Sequence, residues 1–449
     1  MNALVPITLF GWIPLVIISF TVLPPRRAVI AAYLLGWLFL PVVTYDLPGL
    51  PDYGKWSATN FGVAAAALLF DSARVRALRW RWFDLAALVF CVSPFASSLA
   101  NGLGPYDGFS SSLAHVVTWG LPYLVGRAYF SDGQGLTELA MGVAIGGLLY
   151  VPLCLFEIRM SPQLHALVYG YSQHAFDQAM RGGGWRPMVF MQHGLAVGLW
   201  MSAASVVAVT WWRWAGRRYL LRLPARFAAP ALLVTAVLCK SSGATLLMFM
   251  GLAAVWATRR FSTSKVLLAL AWLPIVYVPI RAFGLWHGEE LVEWVGLVLP
   301  DRAASLGFRL ECERLLADRA REQWLLGWGG WGRSAVYIGE ENEQRVITDS
   351  LWILVYGRQG ALGLAAVIGM LVLPVISFAR SCPRSLWRHP KLAPVIALAV
   401  VLASYMIDNL VNDMPNPLYL LIAGGLGAMR VRAPGSAPAP RPAPLVASR

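Results

Sequence analysis

Long uninterrupted apolar segments constrain this chain more than any other feature of its sequence. A helix needs about 20 apolar residues to cross a bilayer, with a range near 17–25. The apolar runs are continuous and do not alternate with polar residues, which favours membrane helices over the strands of a membrane barrel. Thirteen candidate spans follow: 3–23, 28–44, 58–71, 83–98, 113–130, 137–157, 193–212, 228–240, 243–258, 265–281, 348–379, 392–410 and 416–429.

The candidate spans differ in length. The segment 348–379 is long enough for a half-buried helix followed by a spanning one. Four segments are short for a span: 58–71, 83–98, 228–240 and 243–258.

The composition excludes a soluble enzyme. Of 449 residues, 58% are hydrophobic and 13% are charged, whereas soluble domains carry about 25% charged residues. A single hydrophobic core stops growing at about 250–300 residues, so this much apolar surface needs lipid. We predict an all-α, polytopic transmembrane bundle of about 12–13 spans over residues 1–432. The Pro- and Ala-rich stretch 433–449 is predicted to be a disordered cytoplasmic tail.

The net charge of +14 is best explained by topology. Basic residues gather in alternate loops, which the positive-inside rule places in the cytoplasm. The N-terminus is then outside and the C-terminus inside, and we expect a lipid bilayer but no nucleic acid as a partner. The five cysteines show no CxxC spacing, so neither a zinc site nor a disulfide framework is predicted. The 22 basic residues of these loops lie at 26–27, 74–81, 213–226, 259–265, 380–391 and 430–449.

Two long segments, 158–192 and 282–347, fall on the predicted outer side. Loops of this length are usually functional, so we expect the chemistry there. The first contains a triple glycine followed by Trp185 and Arg186. The guanidinium of Arg186 could bind a phosphate or contact lipid headgroups. Lys240 lies between two short apolar runs. Its side chain therefore either has a functional role or reaches out of the apolar region to the membrane–water interface.

The second outer segment has a helical pattern at 302–324, with apolar residues near one face and Arg309, Glu313 and Arg319 among the polar positions. A glycine-rich turn follows at 327–332, where the backbone could approach a ligand. The tryptophans near these segments could stack on sugar rings or form an interfacial belt. They are Trp185, Trp324, Trp328, Trp331 and Trp352.

Asp349 and Arg358 both enter the long apolar segment near its start. A charge inside a span costs about 2.5–3.5 kcal/mol, so the two either form an ion pair or face a wet cavity. In the second case Asp349 could act as a general base.

The order of these motifs resembles the O-antigen ligase and polysaccharide polymerase family of bacterial membrane glycosyltransferases. Arg186-Pro187 precedes His193 by seven residues; Lys240-Ser-Ser-Gly separates two spans; and Ser305 and Arg309 form S-x-x-x-R. The pair Asp349-Ser350 then stands ahead of Gly360-Ala-Leu-Gly363, and the ending contains Asp408-Asn-Leu-Val-Asn412, Asn416-Pro417 and Ala423-Gly-Gly-Leu426. The motifs cover about residues 185–430.

The resemblance implies a function. Family members transfer a glycan from an undecaprenyl-diphosphate-linked donor to a sugar hydroxyl at the periplasmic face of the inner membrane, with inversion and without metal or other cofactor. The acceptor is lipid A-core for a ligase, or a growing polysaccharide for a polymerase. The matching positions imply that Arg186, Lys240, Arg309 and Arg358 bind diphosphate. Asp349 would be the catalytic base, and the glycan or acceptor would meet His193, Trp328, Trp331 and Trp352.

This sequence departs from the family at two positions. Asp349-Ser350 stands where ligases usually carry His-Asn, and Lys240 stands near the usual Ser-Arg. A polymerase is therefore at least as strong an interpretation as a ligase. A second hypothesis is a transporter or flippase of a lipid-linked or polar substrate. Transporters often show internal repeats and charges near the midplane; the sequence shows no repeat, which favours the enzyme.

Overall fold

A computed structural model describes residues 1–47, 52–175, 179–181, 183–220, 222–298, 300–338, 344–346 and 348–429. The chain is all-α, as predicted. The predicted tail at 433–449 lies outside the described residues. The helices are α1 Leu4–Val22, α2 Pro25–Phe39, α3 Lys55–Phe70, α4 Ser72–Arg76, α5 Asp84–Ala100, α6 Pro105–His115, α7 Leu121–Tyr129, α8 Gly133–Met160, α9 Leu164–Tyr169, α10 Gly194–Trp214, α11 Ala225–Leu238, α12 Ser242–Arg260, α13 Lys265–Ala282, α14 Glu289–Val298, α15 Pro300–Arg321, α16 Leu351–Ser381, α17 Ala393–Asp408 and α18 Pro417–Ala428.

Short irregular elements connect these helices. A π-helical segment, Val116–Gly120, joins α6 to α7. In the part of the chain that the structure describes, four antiparallel pairs of two-residue strands close loops between helices. The strands are β1 Thr44–Tyr45, β2 Tyr53–Gly54, β3 Met180–Arg181, β4 Gly184–Trp185, β5 Tyr219–Leu220, β6 Leu223–Pro224, β7 Tyr337–Ile338 and β8 Gln344–Arg345.

Each of the thirteen apolar segments coincides with helical structure, and the chain is a multi-pass membrane protein. Within the described residues, six helices are long and apolar enough to cross a bilayer on their own, fewer than the 12–13 spans predicted. The long segment is two helices joined at a break, because Gly360 has φ 63° inside α16. The six are Leu4–Val22, Gly133–Met160, Gly194–Trp214, Lys265–Ala282, Leu351–Ser381 and Pro390–Asp408.

Helices α10 and α17 form the centre of the bundle. The most apolar stretch of α10 is 89% buried, and that of Pro390–Asp408, which contains α17, is 83% buried. By contrast α1 presents Ile7, Phe10 and Ile18 outwards. Apolar side chains on the outside of a bundle are stable where the surroundings are hydrocarbon. The Gly424 backbone packs against α7 at Tyr123, so the Ala423–Leu426 motif serves close helix packing.

Alternate loops meet at opposite ends of the bundle. At one end, which we name the basic end, Arg26 forms an ion pair with Asp132, and Arg259 donates to the carbonyl of Arg388 at 2.8 Å. At the other end, Asn101 Nδ2 donates to the carbonyl of Gly327 at 2.8 Å. These contacts fit the predicted alternation of the loops, and which end faces the cytoplasm stays a prediction.

All five cysteines are free and buried. Cys154, on α8, and Cys239, after α11, are in side-chain contact, a neighbourhood that their sequence separation does not reveal.

Candidate functional site

The loop before α10 is held by two buried charged side chains. Glu157, at the end of α8, accepts hydrogen bonds from the amides of Met188 and Val189 at 2.8 and 2.7 Å. Lys55 Nζ donates to the carbonyl of Phe190 at 3.4 Å. Charged groups fixed in this way orient a loop because an unsatisfied buried charge is costly. The loop therefore presents Arg186 and the residues that follow it in one defined arrangement.

Arg186 and Lys240 lie together although 54 positions separate them in the sequence. Arg186 is 7% exposed, and its Nη2 donates to the carbonyl of Lys240 at 3.0 Å. Lys240 has φ 52°, which turns the chain sharply between α11 and α12. Its Nζ donates to the carbonyl of Arg181 at 3.2 Å. The two predicted phosphate-binding cations are thus neighbours.

Gly184, the last residue of the triple-glycine run, lies against the side chain of Lys240. A Cβ on Gly184 would collide with Nζ of Lys240. This glycine therefore makes room for the lysine side chain.

His193 stands immediately before α10. Its Nδ1 accepts a hydrogen bond from the amide of Leu195 at 3.0 Å, so His193 caps the helix and the ring proton is on Nε2. The ring lies 4.7 Å from that of His174. Burial, followed by the positive charges of His174, Arg186 and Arg309, lowers the pKa of His193 to about 4. The imidazole is therefore neutral at pH 7 and lies among cations.

Arg309, on α15, reaches the same place from the second outer segment. Its Nη1 donates to the carbonyl of Val411 at 3.4 Å, and its charge acts on His193. The turn between α17 and α18 thus touches the amphipathic helix. The same turn contacts the loop before α10, since Gln192 Nε2 lies 3.8 Å from Sδ of Met414.

Asp413, on this turn, was not predicted as a site residue. Burial raises its pKa to about 6; the positive charge of Arg358 opposes that rise and the negative charge of Asp349 adds to it. Asp413 directly follows the motif that ends at Asn412, which is the only signal in the sequence that points to it.

Asp349 is exposed and directly precedes α16. The next residue, Ser350, is 3% exposed, and its hydroxyl donates to Oε1 of Glu313 at 2.7 Å. The amide of Leu351 donates to the carbonyl of Asn412 at 3.2 Å. The candidate base is thus accessible, while the residues after it are fixed to α15 and to the turn that carries Asp413.

Glu313 was predicted only as one of the polar positions of the 302–324 helix, and the structure buries it. The residue is 1% exposed, and burial raises its pKa. Its carboxylate accepts from the hydroxyl of Tyr277 at 3.2 Å and lies 3.5 Å from Nη2 of Arg281. The helix turns this face inwards because α15 packs on α13 and α16.

The described residues contain no ion pair between Asp349 and Arg358, one of the two arrangements that the sequence allowed. Arg358 acts instead on Asp413. Its carbonyl accepts from the amide of Gly329 at 3.0 Å and from the hydroxyl of Ser97 at 2.8 Å. The backbone of Arg358 therefore lies beside the break in α16.

The glycine-rich turn fills this helix break. The amide of Trp328 donates to the carbonyl of Gly357 at 2.8 Å, and the amide of Ala361 donates to that of Trp324 at 2.7 Å. A Cβ on Gly360 would collide with the backbone of Leu325. Protein backbone thus packs closely at Gly327 and Gly360, and it satisfies groups that the broken helix leaves open.

The tryptophans divide between surface and core. Trp331 is 74% exposed, and the guanidinium carbon of Arg345 lies over its ring, 4.7 Å from the ring centroid. Trp328 stacks on Arg319 at 3.6 Å. Trp352 is 1% exposed and packed in the bundle, so it has no free face for a sugar. Trp352 is therefore no longer a candidate for contact with a glycan.

The site thus gathers cations from four separate segments around a turn with one acidic side chain, and an exposed carboxylate lies beside it. Such an arrangement can bind a polyanion and accept a proton from a neutral nucleophile. Within the described residues, no group of three or more His, Cys, Asp or Glu side chains could hold a metal ion.

Comparison with known proteins adds no relationship: no family model matches the chain, and no curated protein matches it.

Proposed function

We propose that this chain transfers a glycan from an undecaprenyl-diphosphate-linked donor to a sugar hydroxyl at the periplasmic face of a bacterial inner membrane. The supporting observation is the gathering of Arg186, Lys240, Arg309 and Arg358 at one end of a membrane bundle, beside Asp349 and Asp413. These cations come from four segments far apart in the sequence. A bound diphosphate would account for several cations lying at one place.

The cations suit the leaving group. A guanidinium binds phosphate through two parallel hydrogen bonds, and a lysine adds a compact point charge. As the bond between the sugar and the diphosphate breaks, negative charge develops on the diphosphate oxygen. Fixed cations beside that oxygen lower the barrier electrostatically.

The acceptor side uses the exposed carboxylate. The hydroxyl oxygen of the acceptor attacks the anomeric carbon from the face opposite the diphosphate, which inverts that centre. The proton passes to Asp349, and the electron pair of the broken bond leaves with the diphosphate. The reaction balances without a metal or a redox cofactor.

A place for the lipid tail lies nearby. An apolar cavity of about 730 Å³ opens along α13 and the segment after it. Tyr277, which lines it, also donates to Glu313, and Glu313 binds the residue after Asp349. The prenyl chain can therefore leave the site through this groove into the bilayer. The lining residues are Leu273, Val276, Tyr277, Ile280, Leu285, Trp286 and Leu291.

The acceptor is lipid A-core for a ligase or a growing polysaccharide for a polymerase. The exposed ring of Trp331 offers a flat face to either sugar chain.

The proposal is tested with purified protein and a synthetic polyprenyl-diphosphate oligosaccharide. Asp349→Asn should lower kcat about 10²- to 10⁴-fold because the general base is lost. Arg358→Gln should lower kcat about 10²- to 10³-fold because one fixed charge opposite the leaving group is lost. Asp46→Asn changes an exposed carboxylate near the outer end of α2 and serves as the matched control.

Equal activity of Asp349→Asn and Asp46→Asn would overturn the catalytic role. Movement of labelled donor across a vesicle membrane, with no glycan transfer to any acceptor, would instead support the transporter hypothesis.

A further inference from the structure

A second cavity lies at the basic end of the bundle, on the far side from the candidate site. Its volume is about 720 Å³, within the usual range for small-molecule sites. It is formed where α8 and α17 begin and where α10 and α18 end, so α8, α10 and α17 run between this cavity and the opposite end. No step of the proposed transfer uses it.

The polar wall of this cavity is cationic. Arg27, Arg217 and Lys391 line it, together with His389, against the single carboxylate of Glu138. That carboxylate accepts a hydrogen bond from Gln134 at 3.0 Å.

The positive ends of two helices add to this field. Gly133 and Thr137, in the first two turns of α8, line the cavity, as does Pro394 at the start of α17. Helix N-termini favour anions. Asp132, which caps α8, has its charge matched by Arg26.

The opposite wall is apolar. It is made by Met141, Trp211, Leu386, Leu392 and Met429. An apolar wall gives no favourable contact to a free polar anion. A phospholipid, in contrast, presents a phosphate and hydrocarbon side by side. Basic pockets between helices at the membrane surface are typical sites for anionic lipid headgroups.

We propose that this cavity binds one anionic glycerophospholipid, with its phosphate between Arg217 and Lys391 and its glycerol and upper acyl carbons on the apolar wall. The lipid joins the beginning of α8 to the end of α10 and to the segment before α17. It is a structural ligand of the basic end and does not depend on the proposed transfer reaction.

The test uses the full chain in detergent, with native mass spectrometry to count retained lipids and a titration to give Kd. Phosphatidylglycerol should bind with one-to-one stoichiometry and phosphatidylcholine should not. The double variant Arg217→Gln with Lys391→Gln should weaken phosphatidylglycerol binding about 25-fold, since each surface charge contributes about five-fold. Arg218→Gln with Arg384→Gln is the matched control, because both residues are exposed and neither lines the cavity.

A second variant keeps every charge. Thr137→Phe fills the cavity and should abolish retention of phosphatidylglycerol, which decides the question even if the double variant is poorly folded. Equal weakening by the control pair would mean diffuse attraction to a basic surface and would overturn the proposal. Displacement of the lipid by pyrophosphate alone at the same concentration would assign the cavity to a free phosphate and would also overturn it.

Discussion

Two buried networks, one at each end of the bundle, use the same three kinds of side chain in different ways. At the basic end, Arg127 contacts both oxygens of Asp84 at 2.9 and 3.0 Å, and the hydroxyl of Tyr123 donates to the same carboxylate at 2.8 Å. At the opposite end, Arg281 lies 3.5 Å from Glu313, which also accepts from Tyr277.

The partners of the two arginines explain the difference. Arg127 makes a bidentate pair, the strongest form of this contact, and joins α7 to the start of α5. Arg281 instead donates to three carbonyls, including those of His287 and Leu310 at 2.8 Å. This leaves Glu313 to hold Ser350 at 2.7 Å. The first network fixes two helices to each other, whereas the second fixes the outer helical segment to the residue beside the candidate base.

Asp84→Asn is expected to have the largest effect. Breaking a buried pair leaves Arg127 without its counter-charge and should lower the free energy of unfolding by about 3–5 kcal/mol. Thermal unfolding in detergent measures this loss. Glu311→Gln, in the exposed pair with Arg314, is the control and should cost less than about 1 kcal/mol. Similar losses in both variants would show that the Asp84 network does not fix the helices.

Ser350→Ala should act mainly on the reaction. It removes the hydrogen bond to Glu313, so the segment carrying Asp349 is held less firmly. We expect kcat to fall between about 10- and 100-fold with little change in KM for the donor, because small displacements of a reacting group cost this much. Ser98→Ala removes a similar bond to Asp107, 2.8 Å long, and should leave kcat unchanged. An unchanged kcat in both variants would show that the Glu313 network does not position Asp349.

The pH dependence should be the smallest effect. Asp413, with a pKa of about 6, loses its charge as the pH falls from 7 to 5, which removes a negative charge near Arg358 and the proposed diphosphate site. The donor KM should therefore fall about two-fold by pH 6.

The stability of the fold should also rise as the pH falls. Because the folded-state pKa of Asp413 is raised above 3.8, its contribution to stability is fully present below that value and is lost as the pH rises through about 6. In Asp413→Asn both trends should be absent; a KM profile identical to that of the parent protein would exclude Asp413 from the site.

The sequence determined the parts of this protein that follow from local pattern. Apolar runs of helical length identify the membrane helices, and alternation of charge identifies which loops share an end, because both depend on residues close in the chain. The cations Arg186 and Lys240 were found in the same way, as charges at the ends of apolar runs where an unsupported charge is costly.

Tertiary structure alone decided which of these side chains meet. Periodicity placed Glu313 on a polar face, but packing of α15 on α16 turned it inwards, and Trp352 was enclosed for the same reason. The glycine-rich turn at 327–332 was predicted from composition, but its packing against the helix break at Gly360 was not. Asp413 became part of the site only because the turn between α17 and α18 lies near Arg358 on α16. Such contacts join residues far apart in the chain, so no local pattern encodes them.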